Sequence, residues 1–319
     1  MKKINAVSFR DVTLKDGFWL KRYELNKNVT IESVKNRFEE TARFDALRFN
    51  FIKNGRTPHI FYDSDVAKWI EAVAYLIEKD RKSMAENERF IDELIDCMEK
   101  AQRDDGYLNS TLQQIHPDKI FKERGWHELY CAGHLIEAAV AYHKATGKDK
   151  FLRVMERYCD CIYRAFISEK TAAFVTPGHE EIELALMKLY RHTGNKKYYE
   201  MAKFFLENRG RHDEACVYEG NKYGTQDDVD IFTLKEANGH SVRALYLYCG
   251  AADLAMEESS SLLLGNLYSV FDDIVNRKMY ITGGVGSTYR TESFTVPYDL
   301  PNNTAYSESC CAIGLILFA

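Results

Sequence analysis

An internal repeat constrains this chain more than any other feature. The segments AYHKATGKDKFLRVMERY (141–158) and KLYRHTGNKKYYEMAKFF (188–205) align on Thr146-Gly147 and Thr193-Gly194, an offset of 47 residues. In each, apolar residues recur at helical spacing up to the Thr-Gly pair. A short basic turn follows, and an aromatic then opens the next apolar face. Glycine directly after a last helical turn takes the left-handed cap conformation without a Cβ penalty. The offset fits one helix–turn–helix unit, so the spacing predicts a chain built from αα-hairpins.

The same periodicity runs elsewhere. Val66, Trp69, Ile70, Val73, Leu76 and Ile77 form one stripe, and Leu263, Leu267, Val270 and Ile274 form another. The connections 104–126, 170–179, 210–238 and 280–303 are uneven and rich in Gly, Asp, His and aromatics. A regular solenoid has uniform joints, whereas loops of this kind suit a closed ring with its connections gathered at one mouth. The fold class expected is all-α, an (α/α)6 barrel forming one catalytic domain over residues 1–319. About ten helices are legible, two short of the twelve that six hairpins need. Val7–Trp19 alternates poorly and is expected to be a strand or a short N-terminal arm. SESCCAIGLILFA runs apolar to Ala319 without a cap or polar exit, so the barrel is expected to be truncated at its C-terminus.

Composition narrows the function. A net charge of -5 leaves no basic surplus for nucleic acid or an anionic membrane, so neither is an expected partner. No apolar run reaches transmembrane length, and Met1-Lys2-Lys3 is not followed by a signal-peptide core; the expected location is the cytoplasm. The cysteines Cys97, Cys131, Cys159, Cys161, Cys216, Cys249, Cys310 and Cys311 are scattered, which argues against a disulfide framework. Most are expected to be small core residues.

Histidine recurs near the start of helical segments: His127 in WHELY, His179 in PGHEE and His240 in NGHSV. Next to a helix N-terminus an imidazole is discouraged from protonating and can donate a hydrogen bond to a sugar hydroxyl. For any one of them a ring satisfied by backbone is an equal alternative; three on separate hairpins point to a shared mouth. His134 lies inside an apolar run and is expected in the core. Glu292 follows Gly283, Gly284 and Gly286, which permit close backbone approach. Glu308-x-Cys310 pairs an oxygen with a sulfur, both acceptable to Zn²⁺, although a closed site needs two further donors. There is no P-loop, no His-Glu-x-x-His and no dinucleotide fingerprint.

Taken together, FYDSDVAKWIEAVAYLI, DGYLNS, HELYCAGHLIEAAVAY, PGHEEIELALMKLYRHTG, GHSVRALYLYCGAADLA, GGVGSTYRTESF and DLPNNTAYSESCCAIGLILFA resemble, in order, the blocks of glycoside hydrolase family 127. The resemblance implies an (α/α)6 barrel followed by β-sandwich domains that this chain lacks. It implies a retaining hydrolase that releases terminal β-L-arabinofuranose from small oligosaccharides or other arabinofuranosides, using a zinc-held cysteine as nucleophile. On that basis Glu292 is the acid/base, with a pKa raised by desolvation. Glu308 and Cys310 are two zinc ligands, and His127, His179 and His240 line the sugar pocket. The family's nucleophile lies beyond Ala319, so Cys311 is not that residue, and the fragment is expected to be inactive or incomplete. Two other readings stay open: a sugar epimerase on the same barrel, using a histidine pair, and a carbohydrate-binding protein without turnover.

Overall fold

The computed structural model describes residues 7–51, 55, 57–211 and 222–319. Residues 1–6, stretch 212–221 of the 210–238 connection and, with it, Cys216 lie outside the described residues. Among the described residues every regular element is a helix, and extended pairing is limited to isolated bridges. No described helix is long and apolar enough to cross a membrane.

The repeated Thr-Gly turn works as the spacing predicts. Gly147 and Gly194 have φ of 75° and 73°. Their N–H groups donate to His143 O at 2.8 Å and Tyr190 O at 2.7 Å, which closes the two helix ends. The threonines explain the rest of the motif. Thr146 Oγ1 donates to Tyr142 O at 2.7 Å and Thr193 Oγ1 to Leu189 O at 2.9 Å. Each hydroxyl also accepts the N–H two residues on, from Lys148 at 3.1 Å and Asn195 at 3.3 Å. One side chain thus satisfies an orphan carbonyl of the ending helix and an amide of the turn. A further hairpin, Ser241–Glu258 with Ser261–Asp273, turns on Ser259 at φ 53°, and Ser260 Oγ caps Leu263 N at 3.3 Å. With serine at the left-handed position it carries no Thr-Gly signature.

The chain divides into two compact units, Met1–Ile120 with His134–Arg164, and Phe121–Gly133 with Ala165–Ala319. In the first, the stripe of the Tyr62–Asp80 helix is buried as expected, with Phe44, Trp69 and Phe90 packed edge to face at centroid distances of 5.4, 4.9 and 5.9 Å. His134 is buried 3.5 Å from Glu137, in keeping with a core histidine. Val7–Trp19 is an arm but not a strand: it forms a 3-10 turn, Phe9–Asp11, and the start of the helix Gly17–Leu25. Phe9 packs on Tyr75 at 5.8 Å, and Lys79 Nζ donates to the carbonyls of Arg10 and Val12. Among the described residues there is no strand for the arm to pair with.

The second unit contains the helices Ile182–Thr193, Lys196–Asn208, Ser241–Glu258, Ser261–Asp273 and Ser309–Phe318. The last of these lies close against Ser241–Glu258 at Gly314, where a Cβ would stand 2.9 Å from Leu245 Cβ. Most of the chemistry-bearing residues predicted from sequence fall in this unit.

Candidate active site

His127, His179 and His240 converge. The His127 and His179 rings are 5.4 Å apart and the His179 and His240 rings 5.9 Å apart, centroid to centroid. Tyr130 lies 4.3 Å and Tyr246 5.9 Å from His179, and Tyr306 lies 6.4 Å from His240. His240 is the N-cap of Ser241–Glu258, and His127, at φ 56°, directly precedes Glu128–Thr146. His179 departs from the expected placement. The N-cap of its helix is Glu181, and His179 sits in the turn before it. Burial, reinforced by Arg243, His127 and His240, therefore holds His179 well below the usual histidine range, where the sequence pointed to a helix end.

The tautomers follow from the partners. His179 Nδ1 meets Glu180 O at 2.7 Å and His127 Nδ1 meets Gly125 O at 2.8 Å. A carbonyl can only accept, so each Nδ1 carries the proton and each Nε2 is an acceptor when the ring is neutral. Towards a sugar hydroxyl both rings accept, the reverse of the donor role their sequence positions suggest.

His240 Nε2 instead lies 2.8 Å from Glu292 Oε2. Glu292 itself has φ 56°, a left-handed conformation uncommon outside glycine. Its side chain is 36% exposed and that of His240 5%. The expectation of a raised Glu292 pKa is corrected here. The His240 hydrogen bond, chiefly, holds the carboxyl below its ordinary range, and burial is too slight to reverse it. Burial pushes His240 down in turn, so neutral imidazole donating to carboxylate is the resting form.

Beneath the histidines lies a buried ionic network that the sequence reading missed. Arg209 Nη1 donates to Pro177 O at 2.9 Å and Thr225 O at 3.0 Å, and Nη2 to Glu183 Oε1 at 3.3 Å. Asp227 is 3.5 Å from Arg209 and 2.7 Å from Arg124 Nη2. Arg124 Nε also donates to Thr176 O at 2.9 Å, and Arg243 Nη1 donates to Gly224 O at 3.1 Å. Arg124 and Arg209 thus tie down the backbone just before His179, at Thr176 and Pro177, while Arg209 and Arg243 hold Thr225 and Gly224. The available signal was charge inside apolar periodicity, as with Arg243 in GHSVRALYLY and Glu183 in EEIELAL.

Glu180 is the odd member. It is fully buried, neither carboxyl oxygen accepts a hydrogen bond, and Arg209 Nη1 stands 3.5 Å away. Burial, only partly offset by Arg209, pushes its pKa from 4.5 up to about 8. A raised folded-state pKa stabilises fully below the unfolded value and loses that contribution as pH rises through the folded one. Glu180→Gln is therefore expected to gain stability over the parent between pH 5 and 8.5, measured as the difference in urea midpoint. A constant difference across that window would show that Glu180 is ionised throughout.

Glu308 is the N-cap of Ser309–Phe318 and accepts a short hydrogen bond from Tyr306 Oη. Cys310 is half-buried in the first turn. Carboxylate oxygen and thiolate sulfur are both zinc donors, so the pair suits part of a zinc site. Among the described residues, no third His, Cys, Asp or Glu donor joins them in one cluster. Cys311 faces elsewhere, fully buried with Sγ 3.0 Å from Ser241 Oγ, and burial raises its thiol to about 12. Adjacent helical residues point about 100° apart, which accounts for the split.

Comparison with known proteins shows the family of the chain. Residues 11–319 match the model of the "Beta-L-arabinofuranosidase, GH127 catalytic domain". A non-reducing end β-L-arabinofuranosidase of Bifidobacterium longum is 34% identical over 283 residues, which cover 82% of this chain and 42% of that protein. The crystal structure of a GH127 β-L-arabinofuranosidase from Geobacillus stearothermophilus T6 superposes with a TM-score of 0.87 at 38% identity, over 97% of this chain and 52% of its own. A second GH127 β-arabinofuranosidase structure gives 0.86 at 33% identity, over 97% and 50%. The chain spans about half the length of these relatives.

Proposed function

Because the chain belongs to the GH127 β-L-arabinofuranosidase catalytic-domain family, we propose that its histidine cluster binds terminal β-L-arabinofuranose and that Glu292 is the acid/base of retaining hydrolysis. The observation that carries this reading is the 2.8 Å contact of His240 Nε2 with Glu292 Oε2, beside the converging His127 and His179 rings. His127 and His179 accept hydrogen bonds from sugar hydroxyls through Nε2. Glu292 must hold a proton for the leaving oxygen and later take one from water. In the open site it is a carboxylate. A sugar covering its exposed face strips water from it, which favours the protonated form.

Glu308 and Cys310 would hold part of a zinc site. When bound, zinc keeps a coordinated thiol deprotonated near neutral pH, which supplies a nucleophile. Epimerisation by a His179–His240 pair has less support, since His240 Nε2 is committed to Glu292.

Binding can be tested without turnover. Methyl β-L-arabinofuranoside titrated into ¹⁵N-histidine-labelled protein is expected to shift His127, His179 and His240 together, with the α-anomer far less effective. Unmoved histidines, or equal responses to both anomers, would contradict the assignment.

A further inference from the structure

We propose that Ser241 is a positioning residue for Glu292, fixing its backbone so that the carboxylate faces His240. The inference rests on Glu292 being the acid/base. Ser241 N and Ser241 Oγ both donate to Glu292 O, each at 2.9 Å. Since His240 Nε2 holds the same residue's carboxylate at 2.8 Å, two consecutive residues grip Glu292 at both ends. The grip is needed because Glu292 sits at φ 56°, a conformation a non-glycine residue keeps only when its surroundings impose it. Two flanking links reinforce it: Phe294 N donates to Gly239 O at 2.9 Å, and His240 pairs with Ser293 in an antiparallel bridge.

Hydrogen counting extends the chain of contacts. The Ser241 hydroxyl has one proton, and Glu292 O takes it. At the 3.0 Å contact with Cys311 the thiol is therefore the donor and Ser241 Oγ the acceptor. Cys311 orients the hydroxyl that orients Glu292. Gly286 makes the room: with φ 93°, a Cβ there would lie 2.9 Å from Ser241 Oγ. Gly286 thus serves the acid/base through the serine, and neither Ser241 nor Cys311 touches a reacting atom.

Removing the hydroxyl leaves the Ser241 N–H bond in place, so the backbone keeps one anchor and Glu292 gains a pivot. The test compares wild type, Ser241→Ala, Ser241→Thr and Ser241→Cys in the full gene product that carries this chain. The ¹⁵N signals of His240 report whether Nε2 carries the bonded proton. In parallel, turnover is measured on an alkyl and a good-leaving-group aryl β-L-arabinofuranoside. Ser241→Ala is expected to lose the Nε2–H signature and to lower the alkyl-to-aryl rate ratio roughly 10- to 100-fold, a typical cost of misplacing a reacting group. Ser241→Thr, which keeps a hydroxyl, is expected to restore both. Ser241→Cys keeps the volume but donates weakly, and reads as Ser241→Ala does should the alanine variant not fold. Unchanged His240 signals and an unchanged ratio in Ser241→Ala or Ser241→Cys would overturn the role. The histidine signal needs no turnover, so failure of the hydrolase reading and failure of the positioning role give different results.

Discussion

Arg209→Met is expected to destabilise the protein by about 3–5 kcal/mol, the range for breaking a buried ion pair on one side. Arg209 is fully buried and serves Pro177 O, Thr225 O and Glu183, with Glu180 and Asp227 each 3.5 Å away. Its loss leaves two carbonyl acceptors and a set of acids under the histidines, where Arg124 alone still pairs with Asp227. Methionine fills the volume, so the cost is electrostatic and not a cavity. The control is Arg191→Met, which removes a 2.6 Å pair with Asp253 at the surface. Exposed pairs contribute roughly 0–1 kcal/mol because water screens them. Urea unfolding of both variants reads the contrast directly. If Arg209→Met costs no more than Arg191→Met, the network is not what holds the site together.

How much of this was legible in the sequence depends on what each signal encodes. The Thr-Gly pairs carried the hairpins because one hydroxyl and one glycine do local work that composition reveals. The hairpin at Ser259 reaches the same backbone geometry without glycine and left no such mark. His127, His179, His240 and Glu292 were legible as types at hairpin connections, and the rings do meet. Their protonation was not. A rise in the Glu292 pKa presumed burial, whereas the side chain stays partly open and bonds to His240. Exposure is set by tertiary packing, which no spacing reports. Arg124, Arg209 and Asp227 were passed over because charged residues are common in this chain and only contacts across 103 and 16 residues, such as Arg124–Asp227 and Arg209–Thr225, distinguish them.

Glu292→Gln is the other large effect, and it bears on the central claim. Gln keeps the size and polarity of the side chain but cannot carry the transferable proton. An alkyl arabinofuranoside has a poor leaving group and needs that proton in the transition state, whereas an aryl one with an acidic phenol does not. General acid catalysis contributes about 10²–10⁴-fold, so turnover of the alkyl substrate should fall by that order and the glycosylation step of the aryl substrate far less. Burst kinetics separate that step from the later attack of water, which the same residue assists. The decisive measurement is the ratio of single-turnover glycosylation rates, alkyl over aryl β-L-arabinofuranoside, in the full gene product carrying this chain with and without Glu292→Gln. A drop of that ratio by about 10² or more identifies Glu292 as the acid, and an unchanged ratio would contradict it.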